Sequence, residues 1–311
     1  MLKVAIVGLG DIAKKAYMPV LSSRKDIEFH ICTRNENTLK ESGAKYRFEH
    51  LHSTLDSLVK AKPDCAFVNT TTNAHYDAVK ILLQNKVHVY VDKPITMHYH
   101  LSKELVELAE ANKVIFMVGF NRRYAPAYES LKTGPQPSMI IMQKNRKALP
   151  DELRRFVVED FIHVVDTLRY LFPYPIRQLL VNGMQRGELL HHLTIQFIAP
   201  TGETAIGIMN RDSGATEEKL EVMNVNEKRV VYNVTELHVQ NNRDILRMGD
   251  NDWQTALFKR GFDQMIDDFL EAVRKKSHPK ISARDALLTH ELCETIVERL
   301  LSKVNSMESI K

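Results

Sequence analysis

Two short segments carry residues whose types and spacing could do chemistry. The first, Gly8-Leu9-Gly10-Asp11-Ile12-Ala13, directly follows the apolar run Leu2–Val7. The second is Lys93, in Val91-Asp92-Lys93-Pro94, about eighty positions later. A glycine-rich turn between a strand and a helix can bind a pyrophosphate through free N–H groups. An amine beside a reacting hydroxyl can exchange a proton with it. Together the two segments indicate redox chemistry that uses a nicotinamide dinucleotide.

The glycine segment fits the pattern G-x-G-x-x-[G/A]. Its first glycine permits the tight turn, and its second lets the backbone approach a pyrophosphate. We therefore expect cofactor contacts at four positions: Gly8, Gly10, Asp11 and Ile12. The alternative is a turn that binds no ligand.

The end of the second predicted strand bears on the choice of cofactor. Ile31-Cys32-Thr33-Arg34-Asn35 has no acid that could bond an adenosine ribose 2′-OH, but it has a hydroxyl followed by a guanidinium. A guanidinium there can accept a 2′-phosphate. Thr33 and Arg34 therefore favour NADP, with NAD possible. A surface arginine that only contacts solvent is the other interpretation.

A later segment, Val158–Arg169, places a histidine among acids. Glu159 precedes His163 by four residues, while Asp160 and Asp166 flank it at three. On an α-helix these spacings bring an acid within reach of His163 from either side. The spacing leaves open whether Glu159 or Asp160 is the partner. A histidine that is simply part of an apolar core stays the alternative.

The elements that must position these residues alternate in the first 120 residues. Short apolar strands separated by amphipathic helices predict an α/β fold with a doubly wound parallel sheet. The strands are predicted at Leu2–Val7, Ile27–Cys32, Cys65–Asn69, Val87–Val91 and Val114–Val118, with helices such as Ala74–Gln84 and Leu101–Ala111 between them.

The pattern changes after residue 120, so we expect a dinucleotide domain over 1–120 and a substrate-binding and oligomerisation domain over 121–311. A helix at Asp151–Leu171 is followed by strand-like runs that predict a large, mostly antiparallel open sheet. Ser282 and Asp285 resemble a helix start. The runs are Ile176–Val181, Leu193–Ile198, Thr204–Met209, Leu220–Val225 and Arg229–Tyr232, followed by helices at Leu257–Arg274 and Ala283–Leu301.

Composition and residue spacing disfavour several other classes of protein. The net charge is only +4, and the longest basic run, Arg274-Lys275-Lys276, is typical of a helix end rather than of nucleic-acid binding. The three cysteines are scattered, which suits a reducing compartment. With no apolar stretch long enough for a membrane span and a strand from residue 2, we expect a cytoplasmic protein. His191 and His192 are adjacent, so they should point to opposite sheet faces, and we expect no metal.

Taken together, the motifs resemble the Gfo/Idh/MocA oxidoreductase family, in particular its MviM-like branch. The resemblance rests on the glycine segment, Asp92-Lys93-Pro94, Gly119-Phe120-Asn121-Arg122-Arg123-Tyr124, His163-x-x-Asp166 and Phe262…Phe269-Leu270. It implies a Rossmann domain, an α/β domain with an open sheet, and hydride transfer between a nicotinamide and a hydroxyl-bearing carbon, commonly of a sugar or cyclitol.

The resemblance also implies residue roles. Lys93 would be the proton-relay lysine of the family's Glu-Lys-Pro motif, with Asp92 in place of the glutamate, and His163 would handle the substrate hydroxyl proton. Glu159 or Asp160 would assist it. Further cofactor contacts are implied at Thr70, Thr71, Asn73, His75, Asp92, Lys93, Asn121 and Arg122.

One departure from the family keeps a second hypothesis open. The family's Asp-x-Gly-x-His pattern has Phe161 in place of its glycine. The chain could therefore be a regulator that binds NADP(H) and acts through a protein partner, although a pure sensor needs neither Lys93 nor His163. We expect a small-molecule substrate and a homodimer or homotetramer. Ile206, Ile208, Leu220 and Val222 are the candidate apolar face of the sheet.

Overall fold

The computed structural model describes residues 1–248 and 252–308. The chain divides into two units, one of Met1–Phe120 with Phe262–His290, and one of Asn121–Gly261 with Glu291–Lys311. Residues 262–290 thus group with the first unit although they follow the second in sequence. The functional boundary expected after residue 120 stays a prediction.

The first unit is built on a six-stranded parallel sheet in the order β3-β2-β1-β4-β5-β6. This is the Rossmann arrangement that the apolar strands predicted, and the side chains of β4 are buried on both faces. Only β3 was not predicted, because its three residues alternate histidine and leucine and carry no apolar run. The strands are β1 Leu2–Val7, β2 Ile27–Cys32, β3 His50–His52, β4 Cys65–Val68, β5 His88–Val91 and β6 Phe116–Val118.

Five α-helices connect these strands. A π-helical turn, Ala13–Tyr17, leads into the first of them. Asn35 and Thr54 cap two others by accepting backbone N–H groups. The helix Phe262–Lys275 covers the sheet, with the Phe269 ring 5.2 Å from that of Phe67. The five helices are α1 Met18–Leu21, α2 Glu36–Tyr46, α3 Leu55–Lys60, α4 His75–Gln84 and α5 Tyr99–Asn112.

The second unit contains a nine-stranded sheet in the order β15-β14-β13-β12-β7-β11-β10-β8, with β9 paired to β10. Its pairs are antiparallel except β7 with β11, so the sheet is mixed and mostly antiparallel as predicted. Strands β7, β8, β14 and β15 were not predicted. The nine are β7 Met139–Asn145, β8 Asp151–Glu152, β9 Gln178–Arg186, β10 Leu189–Ile198, β11 Thr204–Asn210, β12 Glu217–Met223, β13 Lys228–Tyr232, β14 Glu236–Asn241 and β15 Asp244–Met248.

Among the remaining helices, Pro126–Ser130 was not predicted, and two predicted helices differ in the structure. The predicted helix Asp151–Leu171 begins only at Leu153, because Asp151–Glu152 pairs with β10 and the Glu152 carboxylate caps the helix. The predicted Leu257–Arg274 is interrupted at Gly261, whose φ of +83° is left-handed. The Ser282 cap is confirmed, since its Oγ accepts the Asp285 N–H at 3.1 Å. The helices are α6 Pro126–Ser130, α7 Leu153–Arg155, α8 Ile162–Leu171, α9 Ala256–Lys259, α10 Phe262–Lys275 and α11 Ala283–Glu308.

The length and apolarity required to cross a bilayer are not found together in any helix over 1–248 and 252–308.

The four apolar positions expected to share a face of the second sheet lie on opposite faces, so that prediction was wrong. In register, Leu220 pairs with Met142, which pairs with Gly207, and Gly207 faces α8 closely enough that a Cβ there would lie 2.7 Å from Val164. Side chains alternate along a strand, so Ile206 and Ile208 face away from α8. Leu220 and Val222 belong to the core beneath α8, and only the isoleucines lie on the other face.

Candidate functional site

A cleft of about 900 Å³ opens in the first unit at the carboxyl ends of β1, β2 and β4. In doubly wound sheets this edge is where ligands bind. Eight of the predicted cofactor positions line it: Gly8, Gly10, Asp11, Ile12, Thr33, Arg34, Thr70 and Thr71.

The two glycines differ in what they do at this edge. Gly8 has a φ of +87°, and a Cβ there would lie 2.6 Å from the Thr70 backbone nitrogen. Gly8 therefore permits close passage of two chain segments. A Cβ at Gly10 would meet nothing within 4 Å, so this position faces open space at the start of the helical segment. That is the cradle a pyrophosphate needs, and these residues fit a bound dinucleotide.

Asn69 supplies independent evidence of a ligand. It follows β4, lines the cleft and is only 2% exposed. Neither Nδ2 nor Oδ1 has a hydrogen-bond partner among the described residues. Leaving a buried polar group unpaired costs about 1–3 kcal/mol, so such an amide is expected to bond a ligand. Sequence reasoning missed Asn69 because it ends a strand that is otherwise apolar.

The loop after β2 presents Arg34 to the cleft. Arg34 is exposed, and its neighbour Asn35 caps α2 by accepting the Thr38 N–H at 3.0 Å. The cap fixes the backbone that carries the guanidinium. Asp56, in the first turn of α3, lines the same cleft and is an acid that the sequence did not single out.

Six predicted cofactor residues are not among those that line the cleft, and Asn73 and His75 are two of them. Asn73 is exposed, in a 3-10 turn. His75 is 1% exposed, with Nδ1 at 2.8 Å from the Pro94 carbonyl oxygen and Nε2 at 3.1 Å from that of Thr70. His75 therefore ties the loop after β4 to the loop that carries Lys93, and its position is that of a structural tether.

Lys93 and Asp92 follow β5 directly, and a buried hydrogen-bond chain leads to Asp92. The Tyr17 hydroxyl donates to Asp92 Oδ1 at 2.7 Å and lies 2.9 Å from the Tyr90 hydroxyl. Burial and then the Asp92 charge raise the pKa of Tyr17 well above its ordinary value, so Tyr17 remains a donor. These hydrogen bonds hold the carboxylate of Asp92, whose neighbour in sequence is the half-buried Lys93. Seventy-odd residues separate Tyr17 from Tyr90 and Asp92, and local spacing gave no signal of this contact.

In the second unit, Asp160 is surrounded by cations. Lys144 contacts Oδ1, while Arg146 Nε and Arg211 Nη2 lie 3.1 and 2.9 Å from Oδ2. Burial by itself would raise the pKa of Asp160, but the charges of Lys144 and Arg146 outweigh it and hold that pKa far below its ordinary value. Asp160 is therefore a poor proton acceptor. Burial and then the Arg122 charge lower the pKa of Lys144.

His163 lies in α8 and is 8% exposed. The preceding turns, Phe156–Phe161, which carry Glu159 and Asp160, are π-helical rather than α-helical. Asp166 is committed to Arg123, whose Nε and Nη2 donate at 2.9 and 2.5 Å. Glu159 is half-buried and lies 3.6 Å from Arg155 Nε.

Asn121 and Arg122, expected near the nicotinamide, are also buried in this second unit. Arg122 forms a two-point ion pair with Glu218, at 2.7 and 2.6 Å, and Tyr128 donates to the same carboxylate at 2.6 Å. Asn121 Nδ2 donates to the Arg260 carbonyl at 2.9 Å. These contacts hold the segment that opens the unit.

Comparisons with known proteins agree with this architecture. Residues 2–120 match the GFO_IDH_MocA family, described as an oxidoreductase family with an NAD-binding Rossmann fold, and residues 126–243 match a YceM-like C-terminal domain. The chain is 30% identical to the YceM protein of Salmonella typhimurium, over 97% of this chain and 99% of that one.

A more distant relative is the myo-inositol 2-dehydrogenase of Thermotoga maritima, with 24% identity over 74% of this chain and 70% of the relative. Among solved structures, the dehydrogenase MviM from Clostridium difficile superposes with a TM-score of 0.91 at 27% identity. That match covers 96% of this chain and 99% of the other.

The Asp160 cluster predicts a stability effect with a defined pH dependence. Asp160→Asn removes the carboxylate that Lys144, Arg146 and Arg211 share, although Arg211 keeps its second ion pair with Asp151, so the free energy of unfolding at pH 7 should fall by about 3–5 kcal/mol. Because the folded-state pKa is lowered, the wild-type carboxylate stabilises fully above its unfolded pKa of about 4 and loses that effect as the pH falls further. Urea denaturation from pH 7 to pH 3 should show the two proteins converging below about pH 4.

The control for this measurement is Asp244→Asn, at an exposed position of β15. It should change the free energy of unfolding by less than about 0.5 kcal/mol. A gap between wild type and Asp160→Asn that stays constant down to pH 3 would contradict the assigned charge state.

Proposed function

The chain belongs to the Gfo/Idh/MocA oxidoreductase family, and from that membership we propose an NADP-preferring dehydrogenase or reductase of polyhydroxylated small molecules. The cofactor preference rests on Arg34. This residue lines the cleft just after β2, and the end of β2 carries no acid. The myo-inositol 2-dehydrogenase relative supports a sugar or cyclitol derivative as the substrate class. The chain is an NAD(P)-dependent oxidoreductase, and the preference and substrate are the proposal.

When bound, the nicotinamide dinucleotide supplies the site that accepts or donates hydride. The chain's own residues would hold it. The backbone N–H groups after Gly10 would bind the pyrophosphate, and the unpaired amide of Asn69 would hydrogen-bond the same ligand. Thr33 and Arg34 bind the adenosine ribose 2′-phosphate. Holding the cofactor in one position increases the reaction rate, because less orientational entropy is then lost when the substrate carbon reacts with it.

Proton transfer is assigned to Lys93 and His163. Lys93 takes or returns the substrate hydroxyl proton as hydride moves, and Asp92, held by Tyr17, orients it. His163 is assigned to the substrate hydroxyl proton from the family resemblance alone. Asp160 has a positioning role, because its three cationic neighbours keep it ionised. Glu159, the less buried acid, is the carboxylate left to assist His163.

The cofactor preference is tested by Arg34→Ala. Loss of a charge-assisted contact with the 2′-phosphate should weaken NADPH binding by about 10-fold or more, while NADH binding changes by less than about 3-fold. Titration followed by nucleotide fluorescence measures both. Lys103→Ala, which removes an exposed cation of α5, is the matched control and should affect neither. Equal weakening of both cofactors would remove Arg34 from 2′-phosphate recognition and leave Asp56 as the candidate ribose contact for NAD.

The catalytic proposal is tested by Lys93→Met. With a sugar or cyclitol that the wild type oxidises, turnover should fall by about 100-fold or more while NADPH affinity is unchanged, because the amine acts on substrate. Lys60→Met, at an exposed position of α3, is the control. Retained turnover in Lys93→Met would exclude the lysine from proton transfer. Cofactor binding by the wild type with no turnover across polyol and keto-sugar panels would favour the regulatory alternative.

We also propose a homodimer or homotetramer formed through the face of the second sheet that points away from α8. Ile141, Ile206 and Ile208 lie on that face and are only half-buried within the chain. Light scattering of the wild type should give a multiple of the chain mass, and Ile206→Glu should shift it towards 35.8 kDa. Val225→Glu, at a position 92% exposed, is the control. A monomeric wild type would refute the proposal.

A further inference from the structure

Four side chains that can bind metals lie together at one edge of the first unit's sheet. Glu28 and His30 are on β2, and His50 and His52 are on β3. In each strand the two residues are two apart and share a face, and His30 is the register partner of His50. None of the four lines the cofactor cleft.

Three of these residues have the geometry of a metal site. Glu28 Oε1 lies 2.9 Å from His30 Nε2 and 3.9 Å from His50 Nε2, and the three ligand atoms are all within 4.8 Å of one another. Ligands about 2.1 Å from a tetrahedral zinc ion are about 3.4 Å apart, which lies between the two observed separations. The imidazoles of His30 and His50 stack with their centroids 4.4 Å apart.

The remaining histidine forms an outer layer of contacts. His52 Nε2 lies 3.0 Å from His30 Nδ1, and His52 Nδ1 lies 2.9 Å from Ser57 Oγ. When His30 Nδ1–H donates to His52, and His52 Nδ1–H donates to Ser57, the Nε2 lone pair of His30 is left to bind a cation. Metal-binding histidines are usually held in this way by a partner on the second ring nitrogen.

We propose that Glu28, His30 and His50 bind a divalent first-row transition ion, in the cell Zn²⁺, with water as the fourth ligand. Two imidazoles and one carboxylate suit zinc rather than Mg²⁺ or Ca²⁺, which prefer oxygen ligands. His30 is buried and Glu28 half-buried, whereas His50 is exposed and can adjust its side chain to close the site. The exposed side of His50 gives the ion and its water access from solvent.

Such an ion would add a link between two strands that pair over three residues. Strand β3 has three residues and lies at the sheet edge, and its next residues, Ser53 and Thr54, line the cofactor cleft. A bond from β2 through zinc to His50 would hold this edge in register. The ion therefore has a structural role, separate from the proton and hydride transfers proposed above.

One charge opposes the ion. Lys3 Nζ lies 3.7 Å from the same Glu28 oxygen, so an incoming cation must displace or tolerate it. A proton shared between His30 and Glu28 is the alternative to a metal, because a chain of donors from Ser57 through His52 to His30 also satisfies every ring nitrogen in it. The two alternatives make different predictions for zinc titration.

The test is calorimetric titration of metal-stripped full-length protein with Zn²⁺, with thermal unfolding measured in parallel. We expect saturable binding of one ion per chain and a rise in Tm on binding. His50→Ala should weaken affinity by about 100-fold or more, since loss of even an outer contact costs 10–100-fold. Glu28→Gln should weaken it too, and Lys3→Met should tighten it. Because His50 is exposed, its replacement should not disturb folding.

The matched control is His100→Ala, which breaks a second pair of histidines two residues apart, His98 and His100, in the same unit. It should leave zinc affinity and the Tm shift unchanged. Absence of saturable binding to wild type, or equal affinity in wild type and His50→Ala, would overturn the site and leave the proton-linked chain. Neither result depends on NADPH binding or turnover, so the metal site and the proposed function can fail independently.

Discussion

The first turn of the chain passes the end of β4 only because residue 8 has no side chain. A Cβ at Gly8 would lie 2.6 Å from the Thr70 nitrogen, and its φ of +87° is one that other residues rarely adopt. This close passage sets the ends of β1 and β4 side by side, with Gly10 facing open space and Asn69 buried beneath. The cleft and its unpaired amide both depend on it.

Long-range hydrogen bonds then fix the loops at the same sheet edge. His75 joins the carbonyls of Thr70 and Pro94, and Tyr17 reaches the Asp92 carboxylate beside Lys93. Loops of this kind would otherwise move independently of the strands that carry them. A lysine that exchanges a proton with substrate needs a fixed position, and these buried contacts provide it without occupying the cleft.

The second unit differs from the first in that it buries several charged side chains. Asp160, Asp166 and Glu218 each receive two or more hydrogen bonds from cations or hydroxyls, and a buried charge without such partners would be strongly destabilising. These acids therefore hold the helix and the sheet in one arrangement. His163 lies between Asp160 and Asp166 in sequence, on a helix that follows a π-helical segment, a feature that often marks functional sites.

The sequence alone determined the Rossmann sheet, the mostly antiparallel second sheet and eight of the twenty residues that line the cleft, because apolar periodicity and glycine spacing are local signals. Tertiary structure decided the rest. Strand register separated Ile206 from Leu220. Asn69 is unpaired only because of what surrounds it, and His30 meets His50 only through pairing of β2 with the unpredicted β3. Contacts between residues tens of positions apart leave no periodic trace in a single sequence, so only the folded chain shows them.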